Sequence, residues 1–353
     1  MKEDRDMSGE PVETLLAIES TCDETAAAVL TRDGRVLGEC IATQEALHEA
    51  FAGVVPEIAA RAHLERILPV IETAMRQSGV RGSELSAIAV ATHPGLPGSL
   101  LVGLSAAKAL SLAWSKPLIG INHVQAHIYA CGLGVPESIF PCIGLVVSGG
   151  HTNLYRCVSA IDWEYLGGTI DDAAGEAFDK VAVMLGLPFP GGPHLSRLAQ
   201  QGDPHAISFP RPLLDDPSRM DFSFSGLKTA VRYRIAGTGK GDWSKLTLTD
   251  SEKANVAASF EQAVIDCLIG KSLLALKRTG WKRLCVGGGV AANQNFRRQL
   301  QTACSDRGIT LRIADPKLCT DNAVMGALAW ERYAAGAVDT LELDAQPGLL
   351  RHR

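Results

Sequence analysis

A chain of 353 residues exceeds the length that one hydrophobic core usually organises, so two lobes are expected. Hydrophobic residues at 46% and charged residues at 21% are those of an ordinary globular protein. A net charge of −5 and a pI of about 6.0 exclude a general attraction to nucleic acid or to an anionic membrane, so RNA would need a local basic patch or a partner's help.

Residues 1–13 are mostly charged and polar and read as a disordered tail, neither signal peptide nor span. Leu15 to Ser20, Thr25 to Thr31 and Arg35 to Thr43 form three strands, with Asp33-Gly34 as the hairpin turn. A helix is predicted from Pro56 to about Gln77, where apolar residues recur at helical spacing. The strand Ala87 to Ala91, a glycine-proline loop, an Ala/Leu-rich helix to Trp114 and the strand Pro117 to Ile121 follow. The second half repeats the plan: strands Cys142 to Val147, Thr152 to Cys157 and Trp163 to Leu166, then a helix from Asp171 to Leu185. Long helices occupy Ser251 to Arg278, and strands Leu284 to Val286 and Thr310 to Ile313 close the series. No apolar stretch reaches membrane-spanning length.

This order defines an α/β chain with a duplicated actin-like, Hsp70 and sugar-kinase fold, two lobes around a nucleotide cleft. The N-terminal lobe spans 14–140, completed by a helix at 322–336. The C-terminal lobe spans 141–321, with a polar insertion near 200–221, expected to lie over the cleft. Residues 337–353 read as a C-terminal tail. Nine scattered cysteines without a Cys-x-x-Cys are small buried residues of a reducing, cytoplasmic protein.

His123 and His127 are four residues apart, which on a helix places both imidazoles on one face, roughly 6 Å apart at Cβ. Two neutral imidazoles suit a divalent metal. Asp321 is the natural third ligand, a hard oxygen, with an N-cap of the Ala-rich segment 323–330 as the lesser alternative. Ser148-Gly149-Gly150-His151-Thr152 joins two strands, and its glycines let backbone amides approach a phosphate closely; the alternative is a plain hairpin turn, for which His151 is unnecessary. Gly287-Gly288-Gly289 follows a strand and opens a helix near Asn293, which either contacts nucleotide or caps that helix. Asp172, Glu176 and Asp179 share one helical face, flanked by Gly167-Gly168 and Gly191-Gly192, so this acidic stripe either faces a ligand or is solvated surface. Asp23 and Glu24 occupy the first β-turn, where carboxylates next to phosphate need a metal or a sugar hydroxyl between. Lys228, Arg232, Arg234, Arg297 and Arg298 are candidate phosphate contacts.

The chain resembles the tRNA threonylcarbamoyladenosine transferase family, earlier described as O-sialoglycoprotein endopeptidases. The resemblance rests on Ile18-Glu-Ser-Thr-Cys-Asp-Glu-Thr25, Gly53-Val-Val-Pro-Glu57 with Arg61 and His63, and Asn122-His-Val-Gln-Ala-His127. It continues through Val147 to Thr152, Asp171 to Lys180, Pro190-Gly-Gly-Pro193, Phe222 to Lys228, Gly287 to Asn293 and Thr320-Asp-Asn322, over roughly residues 14–335. The resemblance implies one divalent metal per subunit, Fe2+ first and Zn2+ second, on His123, His127 and Asp321. It implies substrate contacts at Val147, Ser148, Gly149, Gly150, His151, Asp179, Gly192 and Asn293. The implied reaction transfers threonylcarbamoyl from threonylcarbamoyl-AMP, supplied by an upstream synthase, to N6 of adenosine 37 in tRNAs reading codons that begin with A. Implied partners are tRNA and, in bacteria, an inactive paralogue and a P-loop ATPase, with no membrane. Asp23 or Glu24 would accept the amine proton. Gln125-Ala126 stands where the family more often has Glu-Gly, and Thr92-His93-Pro94-Gly95 where it has Gly-Pro-Gly. Three rivals stand beside this reading. A metalloprotease needs Glu directly after the first histidine, where this chain has Val124. A small-molecule kinase needs no histidine pair. A nucleotide-switched chaperone would hydrolyse ATP without modifying tRNA.

Overall fold

The computed structural model describes residues 12–51, 53–236 and 248–348. The chain divides into two units: the described parts of Met1–Leu47, Val54–Ser138 and Asp321–Arg351 form the first, and those of His48–Gly53 and Ile139–Thr320 form the second.

Apolar runs bounded by turn residues become strands buried on both faces. In the first unit, β1 (Thr14–Glu19) is buried throughout and pairs antiparallel with β2 (Glu24–Thr31), which pairs with β3 (Val36–Thr43). β4 (Ala87–His93) and β5 (Leu118–Asn122) extend the sheet in parallel, giving the order β3-β2-β1-β4-β5. The helices are α1 (Glu45–His48), α2 (Pro56–Ser78), α3 (Pro97–Trp114) and α4 (His123–Tyr129). Proline opens α2, and Gly79 ends it at φ 68°, a left-handed turn that costs glycine no Cβ clash. Ile67, Val70, Ile71 and Ala74 of α2 pack with Leu16, Ile18, Ile88 and Val90 of the sheet.

The second unit repeats the plan with β6 (Cys142–Val147), β7 (Thr152–Cys157), β8 (Trp163–Gly168), β9 (Arg283–Gly287) and β10 (Thr310–Ile313), in the order β10-β9-β6-β7-β8. Counting from each unit's first strand, both sheets have the same connectivity. The helices are α5 (Ala174–Met184), α6 (Gly191–Ala199), α7 (Ser225–Ala236), α8 (Asp250–Thr279) and α9 (Gln294–Ser305). A Thr249–Glu252 capping box starts α8 and Gly280 stops it.

Four expectations change. The segment 200–221 is strapped along α8: Asp203 N donates to Asn255 Oδ1 (2.8 Å) and Ile207 N to Ser259 Oγ (3.2 Å). Arg211 pairs with Asp266, and buried Lys271 donates to the carbonyls of Asp216 and Arg219. The expected helix at 322–336 is a 3-10 turn, Val324–Leu328, followed only by α10 (Ala329–Ala334). Residues 337–348 are docked where a loose tail was expected, since Asp339 N bonds Leu118 O and Gln346 N bonds Thr92 O. The helix expected from Asp171 begins at Ala174, because Asp171 instead accepts from Phe224 N and Ser225 N at the start of α7. No helix among the described residues is long and apolar enough to cross a membrane.

Candidate metal centre and substrate loops

β5 runs straight into α4. Asn122 at the junction accepts from Val124 N (2.8 Å) and Gln125 N (3.2 Å), capping a helix whose first residue is His123. One turn on lies His127, and the two rings meet edge to face at 4.6 Å between centroids. Asp321 enters from the segment that returns to this unit. It is not the cap of the turn behind it; Asn322 is, accepting from Met325 N at 3.1 Å. The carboxylate of Asp321 is therefore left to face the histidines, with Oδ1 3.4 Å from His123 Nε2 and 3.2 Å from His127 Nε2.

The ligand atoms of these three side chains all lie within 4.8 Å of one another, and no other such group of His, Cys, Asp or Glu occurs among the described residues. His127 is wholly buried, yet neither of its ring nitrogens makes a hydrogen bond among the described residues; Asp321 is close to Nε2 but misaligned. Separations of 3.2 and 3.4 Å are those expected between ligands of one ion with bonds of about 2.1 Å. Two imidazoles and one carboxylate with further positions open suit iron(II) or zinc. Burial opposes charge on His123, but the Asp321 and Glu19 carboxylates outweigh it and hold its pKa well above the ordinary imidazole value. On His127 burial wins and the pKa falls. Burial would raise the pKa of Asp321, but the two histidines hold it well below the carboxylate range.

Glu19 had no role assigned from sequence. It ends β1, is 2% exposed, and places Oε2 3.1 Å from His123 Nδ1, while Oε1 accepts from Thr21 N at 2.7 Å. The signal was available: a carboxylate at the end of an otherwise uncharged buried strand must be paired. His63, which spacing alone gives no role, also acquires a place. Its Nδ1 lies 2.8 Å from Thr25 Oγ1 and its Nε2 3.0 Å from the Cys22 carbonyl, clamping both sides of the turn that carries Asp23 and Glu24. Burial, then repulsion from Asp321 and Asp23, pushes the Glu24 carboxyl up to about 10 in the metal-free chain.

In the second unit, β6 ends at Val147 and the loop 148–151 is closed by Ser148 N to His151 O (2.8 Å) and His151 N to Ser148 Oγ (3.2 Å). The start of α5 is packed under it: Gly175 N donates to Ser148 O and Glu176 N to Gly149 O. The amides of Gly149 and Gly150 are the ones left exposed, with no partner among the described residues. Gly288, at φ +95°, brings the third glycine loop against Val147; a Cβ there would lie 2.5 Å from Val147 O. Val147 itself is wholly buried, backbone included, and supports the loop from beneath.

The remaining candidates are held in place by other groups. Asp179 Oδ1 accepts from Gly191 N (2.8 Å) and Gly192 N (3.2 Å), fixing the glycine pair at the head of α6. Asn293 caps α9 through Phe296 N and donates to Ser196 Oγ (2.8 Å) and buried Glu261 (2.7 Å). The acidic stripe is broken: Asp172 precedes the helix and pairs with Lys180 and Lys228. Lys228 is therefore no free phosphate contact, nor is Arg297, which donates to the carbonyls of Ala291 and Ala314. Arg298 bonds Asn295.

A family model described as tRNA N6-adenosine threonylcarbamoyltransferase matches residues 35–328. A protein of that name from Rhodopirellula baltica is 63% identical over 350 residues, covering 96% of this chain and 98% of the relative. One from Symbiobacterium thermophilum is 49% identical over 336 residues, covering 95% and 96%. Among solved structures, full-length HypF in its phosphate- and nucleotide-bound form aligns with a TM-score of 0.61 at 15% identity, over 92% of this chain and 56% of that one. That likeness is one of fold, the actin-like and sugar-kinase architecture expected from the element order. The chain belongs to the tRNA N6-adenosine threonylcarbamoyltransferase family, whose members are acyl-group transferases.

Proposed function

We propose that this chain transfers threonylcarbamoyl from threonylcarbamoyl-AMP to N6 of adenosine 37 in tRNAs reading codons that begin with A, releasing AMP. The observation that carries this, beside the family match, is the convergence of His123, His127 and Asp321 on one point. These three would hold a single divalent cation, Fe2+ before Zn2+, which when bound polarises and orients the threonylcarbamoyl oxygens.

The chain's own residues do the rest. The exposed amides of Gly149 and Gly150 hold the adenylate phosphate, which glycine allows by close backbone approach. Asp179 sets Gly192, and Asn293 with Gly288 sets the loop Gly287 to Asn293, so that Ser148 to His151, resting on Val147, and these residues contact the AMP moiety. The N6 amine attacks the carbamoyl carbon, the mixed-anhydride bond to phosphate breaks, and the phosphate oxygen leaves with its electron pair as AMP. Asp23, or Glu24 once a bound cation has displaced the proton it holds in the metal-free chain, takes the proton lost by the amine. Because the adenylate is already a good leaving group, positioning supplies most of the acceleration. The protein partners are an inactive paralogue and a P-loop ATPase, in a cytoplasmic setting, with substrate delivered by a threonylcarbamoyl-AMP synthase.

The experiment is mass spectrometry of nucleosides from tRNA incubated with the protein, threonine, bicarbonate, ATP, the synthase and the partners. Threonylcarbamoyladenosine that forms only when this chain is present is the expected result; ATP hydrolysis with unmodified tRNA would instead identify a nucleotide-switched binding protein.

A further inference from the structure

Glu19 is a buried carboxylate that the proposed reaction does not use. Its two oxygens have separate tasks: Oε1 is anchored by the amide of Thr21 at 2.7 Å, and Oε2 lies 3.1 Å from His123 Nδ1. The anchor matters, because a carboxylate fixed at one oxygen cannot rotate the other away. Its backbone is equally fixed, paired to Ala26 in the β1–β2 ladder.

Glu19 Oε2 and Thr21 Oγ1, the latter at 3.2 Å, both face His123 Nδ1, and an N–H at that nitrogen is the group two such oxygens can share. With the proton on Nδ1, the neutral ring has its free electron pair on Nε2, the atom that faces Asp321 at 3.4 Å. Glu19 itself is not among the residues whose donor atoms converge. It meets the opposite edge of the ring and acts only through His123. His127 has no comparable partner, since its Nδ1 is buried without a hydrogen bond among the described residues.

We infer that Glu19 is the positioning residue of the metal centre: it fixes the tautomer and ring plane of His123 and strengthens Nε2 as a donor to a divalent cation. The inference rests on the reading of His123, His127 and Asp321 as the cation site. Carboxylates in this position behind a ligating histidine typically alter metal affinity by 10- to 100-fold.

The test uses the full chain and Zn2+ as probe, titrated in competition with a chromophoric chelator. Glu19→Gln keeps the side chain's size but not its charge, and Zn2+ affinity should fall about 10- to 100-fold. The melting temperature of the metal-free protein should not fall with it, which separates positioning from general damage. In the zinc-loaded parent, nitrogen NMR of the His123 ring should find the proton on Nδ1. His123→Ala and Asp321→Ala are measured alongside. If both lose Zn2+ while Glu19→Gln binds as tightly as the parent, Glu19 does not position the site. If both retain Zn2+ unchanged, the cation site itself is misassigned. Should Glu19→Gln fail to fold, Glu19→Asp draws the carboxylate back by one methylene and must weaken Zn2+ at least about tenfold for the inference to stand.

Discussion

His127 Nε2 and Asp321 Oδ1 stand 3.2 Å apart without making a hydrogen bond, inside a site where the imidazole is wholly buried. A donor and an acceptor left free to pair would align. Two ligands of one cation need not, and a cation between them, as proposed, would satisfy both. His123→Ala and Asp321→Ala are each expected to reduce bound metal to background by elemental analysis and to abolish tRNA modification, with an unchanged circular dichroism spectrum. Transfer retained by a metal-free variant would refute the metal's role.

The raised pKa of the half-buried Glu24 carboxyl gives a pH signature in the metal-free protein. Its folded pKa is raised to about 10, above an unfolded value of about 4.3. Any stability tied to that proton is complete below the unfolded value and is lost as pH rises toward the folded one. Glu24→Gln removes the titration, so the variant should gain on the parent by about 1–3 kcal/mol between pH 4 and pH 8. The raised pKa of His123 acts alike in both proteins and cancels in the difference. Urea unfolding at the two pH values checks this; a difference that does not grow with pH contradicts it.

Two glycines of the second unit should part company on substitution. Gly288→Ala meets Val147 O at 2.5 Å from a backbone at φ +95°, so a loss of about 2–4 kcal/mol is expected in thermal or chemical unfolding. Nothing lies within 4 Å of a Cβ added at Gly149. Gly149→Ala should keep its stability within about 0.5 kcal/mol and instead weaken AMP binding, read by calorimetry. Equal AMP affinity would remove the Gly149 amide from the proposed phosphate grip.

His63 is expected to matter without touching metal. His63→Ala leaves the Thr25 hydroxyl without its histidine partner and the Cys22 carbonyl with only the long bond from Ser99 Oγ (3.4 Å), at a cost of about 1–3 kcal/mol, and frees the turn bearing Asp23 and Glu24. Metal content should be unchanged while the transfer rate falls. A parallel loss of metal would place the damage at the triad.

Asn293→Ala deletes the cap of α9 and one partner of buried Glu261 together. A destabilisation of about 2–3 kcal/mol is expected in urea unfolding, exceeding a simple cap loss of about 1 kcal/mol because a buried carboxylate is left short of a donor. A loss no greater than that of Ser196→Ala would show that Glu261 finds another partner.

The strands and their duplicated order were legible because β1, β2 and β6 are apolar runs between turn residues, and burial on both faces leaves no other use for such runs. The histidine pair was legible because its spacing is a local property of one helix. Less local features were not. Asp172, Glu176 and Asp179 have the period of a shared face, but Asp171 is drawn to the start of α7 and the helix begins too late to include Asp172. Segment 200–221 and residues 337–348 look like loose polar chain, and their backbone partners on α8 and on the sheet cannot be read from their own sequence.

By itself the sequence determined the family, the two repeated sheets and the residue types of the His-His-Asp triad, since these follow from local periodicity and from motifs whose order is fixed along the chain. Only the tertiary structure decided which groups are left over to act. It gave capping to Asn322 and so released Asp321, placed Glu19 behind His123, and tied Lys228 and Arg297 to internal partners. The physical reason is that a buried polar group must find a partner, and in a fold with this topology that partner is most often distant in sequence.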